Sequence, residues 1–256
     1  MGSRRWRIVT VAAVATSLCA AVRAADPAGH PDFSGVWAQY VESGQPRFVR
    51  SGQVLDLPYT PEGRRKEDEY RALVAPNADN PGAHCLGYGM PQSMVFSGGY
   101  PMEIIQKADV IGIIYEAHNE VRHIYLDGRI IAPEDRIPSR NGYSAAHWEG
   151  DTLVVETTAL REQEDESYPH SDQAVITERY HLTARADGAK VLVNDWTLTD
   201  PAFYTRPVSA QKKWLLDPKG ILLPYECNEE GWLDHLDALR KAKAEGKPPP
   251  KAAGYP

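Results

Sequence analysis

Between Met102 and Cys227 the chain is cut every few residues by turn-forming dipeptides, and the runs between the cuts alternate. "VIGIIYE", "EVRHIYL", "TLVVETT", "AVITERYHLTA" and "KVLVNDWTL" are rich in β-branched and aromatic residues, with apolar side chains at roughly every second position. Asp127-Gly128 and Asp187-Gly188 suit type I′ turns, which need positive φ at both central residues, and Gly150-Asp151 suits type II′ with glycine first. "MEIIQKA", "RIIA", "SAAHWE", "AQKKWLL" and "GILLPYEC" complete a set of about nine or ten short strands. Such a set predicts an all-β fold, an antiparallel barrel, with a two-sheet sandwich as the alternative. Nothing resembles a βαβ unit, a Gly-rich phosphate loop or a dinucleotide fingerprint, so no cofactor is expected.

The flanking segments set location and organisation. Arg4, Arg5 and Arg7 precede a short apolar stretch that ends at Val22-Arg23-Ala24. That is the layout of a secretory signal peptide over residues 1–24, and it predicts a periplasmic or secreted protein. Residues 25–228 then read as one domain, interrupted by a Pro- and Gly-rich connection over 42–101. Within that connection Thr60 and Pro61 predict one or two helical turns between Pro61 and Leu73, with threonine as the cap and proline at the first helical position. Residues 229–256 read as one helix, with Trp232, Leu236 and Leu239 on one side, and a Pro-rich tail. The net charge of −7 is spread without a basic stripe, which argues against nucleic acid as a partner. No second hydrophobic run predicts a membrane span in the mature chain.

Two resemblances follow from particular residues. "GVW" (Gly35 to Trp37), opening the first strand, resembles the Gly-x-Trp element of lipocalin-type barrels, in which the tryptophan plugs the closed end. The joint pattern "PDFSGVW", "IYLDGR", "HWEGDTLVVET", "PHSD", "ITERY", "LTDPAFYTRP" and "YECNEE" is similar to a large family of secreted bacterial proteins of unassigned function, abundant in acidobacteria and sphingomonads. The similarity covers nearly all of the mature chain and implies export and one β-rich domain. Gly-His-Ser is expected in that family where this chain has Gly142-Tyr143-Ser144, so a mechanism needing a histidine there is in doubt.

Three cysteines are present, and Cys19 leaves with the signal. Cys85 and Cys227 form an even pair in an oxidising compartment, which predicts a disulfide tying the long connection to the last strand. Two separate buried thiols, or a metal site without ligands at the usual spacing, are the alternatives. The histidines lie on different strands and faces, so no metal centre is expected.

Candidate chemistry comes from strand register. A two-residue turn at Gly150-Asp151 sets Glu149 opposite Thr152, His147 opposite Val154 and Ala145 opposite Glu156, on the face away from Trp148, Leu153 and Val155. His147 and Glu149 are then either solvated or covered by the 42–101 segment. A two-residue turn at Asp187-Gly188 sets Tyr180 opposite Asp195 and Glu178 opposite Thr197, with Arg179 facing Trp196 on the other side. Two carboxylates and a phenol among apolar residues are the arrangement that shifts a carboxyl pKa. We therefore expect a pocket where Glu178, Tyr180 and Asp195 meet the loop carrying His170, with Tyr143 at its rim. Arg122 would meet an anionic or carbonyl group of the ligand. The expected function is binding of a small, partly apolar molecule. The alternative is a cofactor-independent lyase, isomerase or hydratase in which Glu178, His170 and Tyr143 transfer protons.

Overall fold

A computed structural model describes residues 29–41, 56–74, 81–96, 99–126, 128, 131–164 and 167–248, without the side chains of 83 and 228–236. The expected signal peptide, part of the 42–101 connection, Asp127 of the first Asp-Gly turn, the side chains of Trp232 and Leu236, and the tail from 249 lie outside the described residues.

Among the described residues, nine strands close into a barrel in sequence order. They are β1 (Gly35–Gln39), β2 (Met102–Gln106), β3 (Val110–Tyr115), β4 (Glu120–Tyr125), β5 (Tyr143–Glu149), β6 (Thr152–Thr158), β7 (Val175–Ala184), β8 (Lys190–Thr199) and β9 (Val208–Asp217). Strand β1 pairs with both β2 and β9, so the sheet has no free edge, and the sandwich alternative is excluded. Trp37, Met102, Ile104, Ile111, Ile113, Ile124, Leu153, Val155, Leu192, Trp196 and Trp214 turn inward and are almost fully buried. Their every-second-residue spacing is the alternation seen in the sequence.

Four expectations are corrected. The barrel is mixed rather than wholly antiparallel, because β4 and β5 run parallel at Ile124↔Ser144 and Tyr125↔Ala145. A parallel neighbour needs a crossing connection, and the chain from 126 to 142 supplies it; Ile131 and Ala132 of "RIIA" are not strand. "GILLPYEC" is not strand either: residues 220–226 are irregular, with Ile221 and Leu223 exposed. Cys227 therefore opens a helix, α3 (Cys227–Ala244), instead of ending a strand.

The fourth correction decides the site. Strands β7 and β8 pair Glu178 with Trp196, Arg179 with Asp195 and Tyr180 with Asn194. Their loop holds three residues, Ala186-Asp187-Gly188, closed by Arg185 N–H to the Ala189 carbonyl at 2.9 Å, with Gly188 at φ +81°. That is a type I turn followed by a left-handed glycine, not the two-residue turn. One extra loop residue slips the register by one and moves every β8 side chain to the other face. Asp195 and Thr197 go outside; Asn194 and Trp196 come inside. The expected placement of Arg179 facing Trp196 is lost with them.

The Gly150-Asp151 hairpin has the expected register, Glu149↔Thr152 and His147↔Val154. His147 and Glu149 are exposed on the outer face, where Glu149 pairs with Arg179 at 2.8 Å.

The long connection covers one end of the barrel. Helix α1 (Pro61–Val74) begins as expected, with Gly63 N–H donating to Thr60 Oγ at 3.1 Å. A Cβ at Gly63 would lie 2.3 Å from the Phe203 carbonyl oxygen, so only glycine lets α1 seat there. Farther along, the single-turn α2 (Gln92–Val95) is buried along its whole length and enters the barrel mouth. Glu120 of β4 accepts from Gly89 N–H at 3.0 Å and from Ser93 Oγ. Arg140 donates to the Gly87 and Tyr88 carbonyls at 2.9 and 3.0 Å. Just before this plug, Cys85 is bonded to Cys227.

Candidate functional site

Register alone places a polar cluster in the middle of this apolar interior. Arg122 of β4 shares the inward row with Ile124, and Ser144 of β5 stands opposite Thr157 of β6. Glu178 and Tyr180 of β7 stand opposite Val155 and Leu153. Arg122 and Glu178 are essentially inaccessible to solvent, at 1% and 0% exposure.

The two charges meet as a fork. Arg122 Nη1 donates to Glu178 Oε1 at 3.1 Å and Nη2 to Oε2. Nε donates to Ser144 Oγ at 3.1 Å and Nη2 also to Thr157 Oγ1 at 2.7 Å, and those hydroxyls are 2.9 Å apart. Glu178 Oε1 also accepts from Tyr180 Oη at 2.6 Å and Asn194 Nδ2 at 3.1 Å. A buried ion pair is tolerated only when its lone pairs and protons are satisfied this fully. Burial works against the Arg122 charge, but the Glu178 carboxylate more than offsets it, and the guanidinium is held above its ordinary range. Burial first, and then the Glu178 charge, keep the Tyr180 phenol protonated well above its usual pKa.

Four hydrogen bonds converge on Glu178, three on Oε1 and one on Oε2. The geometry makes Glu178 an anchor for its neighbours.

Two polar atoms in the same interior lack an intramolecular partner, Asn194 Oδ1 and Trp196 Nε1, and Tyr115 Oη, beside the Arg122 guanidinium, has no acceptor for its own proton. Asn194 cannot be turned round to hide this, because its NH2 must face the Glu178 carboxylate. The same NH2 approaches Met94 Sδ of the plug at 2.8 Å, so the cluster reaches from the strands to α2.

The other expected site residues lie elsewhere. His170 is fully buried in the 159–174 loop, where its Nδ1 is 3.1 Å from the Tyr168 carbonyl; the Tyr168 ring packs edge-on against Trp196. Neighbouring Ser171 donates to Asp200 through both N–H and Oγ, which orders the turn before Phe203. Tyr143 faces outward, stacked on Tyr125 and covered by the Arg136 guanidinium. Asp195 lines a shallow outer depression of about 310 Å³ with Thr177, Arg179, Thr197 and Ser209. The interior thus joins Glu178, Tyr180 and Arg122 but not Asp195 or Tyr143.

Sequence reasoning missed Ser144, Thr157, Asn194, Tyr115 and Lys212. Ser144 and Thr157 were legible, since the correctly registered hairpin sets them opposite each other on the Leu153/Val155 face. Asn194 was hidden by the slipped register.

Lys212 lies on the inward row of β9, opposite Asn194. It donates to Gln39 Oε1 at 2.6 Å, and Gln39 in turn donates to the Phe96 carbonyl behind α2 at 2.5 Å. Burial pushes its ammonium down to about 8. An unfolded lysine keeps its proton to about 10.4. Between those values the unfolded chain binds more protons, so stability rises with pH there, and below pH 8 the whole cost of burying the charge is carried. Lys212→Met should therefore stabilise the protein at pH 7 by on the order of 1–3 kcal/mol. It should also remove that part of the rise between pH 8 and 10. Urea unfolding of both proteins at pH 7 and 10 checks this; a variant no more stable at pH 7, with the pH slope intact, contradicts it.

The fold and interior define a closed, mixed, nine-stranded β-barrel with a C-terminal helix and a buried arginine–glutamate core. No family model, no curated protein and no solved structure matches the chain. Among the described residues no helix is long and apolar enough to cross a membrane, and no cluster of three or more His, Cys, Asp or Glu side chains gathers as metal ligands would.

Proposed function

We propose that this is an exported binding protein that holds one small, partly apolar, uncharged molecule inside its barrel, in the manner of a lipocalin-like carrier. The supporting observation is a trio of buried polar atoms with hydrogen-bonding capacity to spare, the donors Tyr115 Oη and Trp196 Nε1 and the acceptor Asn194 Oδ1. Buried polar groups in native proteins find partners, and exceptions mark places where something else binds. Two donors and one acceptor suit a molecule carrying both a carbonyl and an N–H or O–H group, such as an amide, a lactam or a hydroxyketone. The Arg122–Glu178 pair is neutral overall, which favours an uncharged ligand. Isoleucines, Met94 and tryptophans supply the apolar wall. Trp37, deep in the interior with Nε1 bonded to the Phe33 carbonyl at 2.8 Å, supports the lipocalin-like comparison. Export is supported by the basic-then-apolar N-terminus and by a disulfide of the kind that persists in oxidising compartments.

Tyr115→Phe tests the reading without disturbing the packing. It removes a hydroxyl whose proton no group in the protein accepts, and Arg122 keeps its bonds to Glu178, Ser144 and Thr157, so stability should stay within about 1 kcal/mol of the parent. Affinity for a ligand that uses the hydroxyl should fall roughly threefold to tenfold, the value of one hydrogen bond. Thermal-shift titration of both proteins against a panel of uncharged amides, lactams and hydroxyketones measures this. A panel that stabilises both equally would place the ligand somewhere other than beside Tyr115.

A further inference from the structure

We propose that Met94 fills the ligand's seat in the free protein and is turned out when a cis-amide, such as a lactam, takes its place on Asn194. The inference rests on reading the interior as a ligand site. It adds what occupies that site beforehand and which class of ligand displaces it.

The Asn194 carboxamide carries the argument. Its NH2 donates to Glu178 Oε1 at 3.1 Å and to Met94 Sδ at 2.8 Å, while its Oδ1 has no partner. Asn194 is fully buried, so water does not make up the difference. A thioether is a weak acceptor, and a buried N–H gains more from an oxygen. The carboxamide is therefore well paired on the Glu178 side and poorly paired everywhere else. A lactam ring holds its C=O and N–H side by side on one edge. Seated where the sulfur now lies, its carbonyl accepts the N–H that Met94 gives up, and its own N–H donates to Oδ1. An open-chain secondary amide, with C=O and N–H on opposite sides, reaches only one of the two.

Met94 can leave without unseating the plug. Helix α2 is fastened at the rim by other groups: Gly89 N–H and Ser93 Oγ donate to Glu120, and the Phe96 carbonyl accepts from Gln39. Methionine is unbranched and flexible, so its side chain swings toward the mouth while the backbone of the turn stays in place. The space it vacates is lined by the apolar cluster to which it belongs, with Tyr180 and Trp196 among its members, and this suits the hydrocarbon part of a lactam. A seat filled from within lowers the apparent affinity in proportion to the fraction of molecules in which it is empty.

The test uses the disulfide-intact protein, δ-valerolactam and dilute hydrogen peroxide, with methionine sulfoxide mapped by peptide mass spectrometry. Met94 and Met102 are both buried, at 0% and 2% exposure, and Met102 on the barrel wall is the internal reference. Saturating δ-valerolactam should speed oxidation of Met94 at least about tenfold and leave Met102 unchanged, the reverse of the protection a ligand normally gives. Met94→Ala, which empties the seat, should bind the lactam at least about tenfold more tightly in thermal-shift titration. The parent should prefer δ-valerolactam to N-ethylpropanamide, an open-chain amide of matching size, by roughly threefold to tenfold. Peroxide mapping needs no variant, so it decides the matter even where Met94→Ala does not fold. A lactam that binds the parent while Met94 stays protected overturns the inference and leaves the interior site standing. Binding to Met94→Ala alone marks Met94 as core packing and overturns it as well. If other uncharged ligands raise the parent's Tm and the lactam does not, only this inference fails; if none does, the interior site fails too.

Discussion

Arg122→Met is expected to destabilise the barrel by about 3–5 kcal/mol, the largest single-residue effect in the molecule. Methionine nearly fills the volume, so the loss is electrostatic. Glu178, at 0% exposure, would keep its charge without its bidentate partner, and Ser144 and Thr157 would each lose a guanidinium donor. Glu178→Gln is expected to cost somewhat less, since an amide still accepts from one side of the fork and from Tyr180. The double variant Arg122→Met/Glu178→Leu separates pairing from burial. With neither charge left to be orphaned, it should recover at least about 2 kcal/mol relative to Arg122→Met. Recovery should be incomplete, because Tyr180 Oη and Asn194 Nδ2 then lack the acceptor they share. Denaturant unfolding of the parent, Arg122→Met, Glu178→Leu and the double variant closes the cycle. Simple additivity of the two single losses would mean that the side chains do not act as a pair.

Loss of the Cys85–Cys227 disulfide is the second large effect. The bond spans 142 residues of sequence, and all of β2 to β9 lies inside the loop it closes. Chain-entropy reasoning assigns a loop of that length up to about 5 kcal/mol, and native bridges of this kind commonly deliver about 2–5. For a domain of this size that is a drop of roughly 5–15 °C in Tm. Cys85→Ser, Cys227→Ser and the reduced parent should all show it. The position of Cys85 adds a local consequence: it roots the segment that runs into the α2 plug, so proteolysis near residues 85–96 should become faster than in the parent. An unchanged Tm in the reduced protein would show that the bridge holds only α3 and not the barrel.

How far the sequence could be read depends on where each decision is made. Alternation and Gly-Asp turn chemistry are local, so the strands and the register of β5 with β6 were legible, and with them the outward position of His147 and Glu149. Asp187-Gly188 was ambiguous, because the same dipeptide closes a two-residue turn or the end of a three-residue loop. The slip exchanged Asp195 for Asn194 at the heart of the site. The parallel β4–β5 pairing was not legible, since a crossing connection without periodicity makes it. Nor was the burial of "PQSMV": a single turn carries no pattern of its own, and only the barrel mouth decides that it goes inside. The apolar "GILLPYEC" misled because its extended shape is held from outside the sheet, by the disulfide and by Glu116 accepting from Leu223 N–H at 2.7 Å. Arg122 was singled out as a ligand contact, but with alternation placing it inward it needed a carboxylate, and Glu178 was already on the page.

Native mass spectrometry of the disulfide-intact protein tests most directly whether the interior is a binding site. The account predicts a 1:1 complex with a small uncharged molecule, co-purifying or drawn from the amide, lactam and hydroxyketone panel. It predicts that Asn194→Leu, which removes the unpartnered acceptor, weakens that complex while the protein stays folded. A parent protein that flies bare throughout, or a complex that Asn194→Leu leaves untouched, would contradict it.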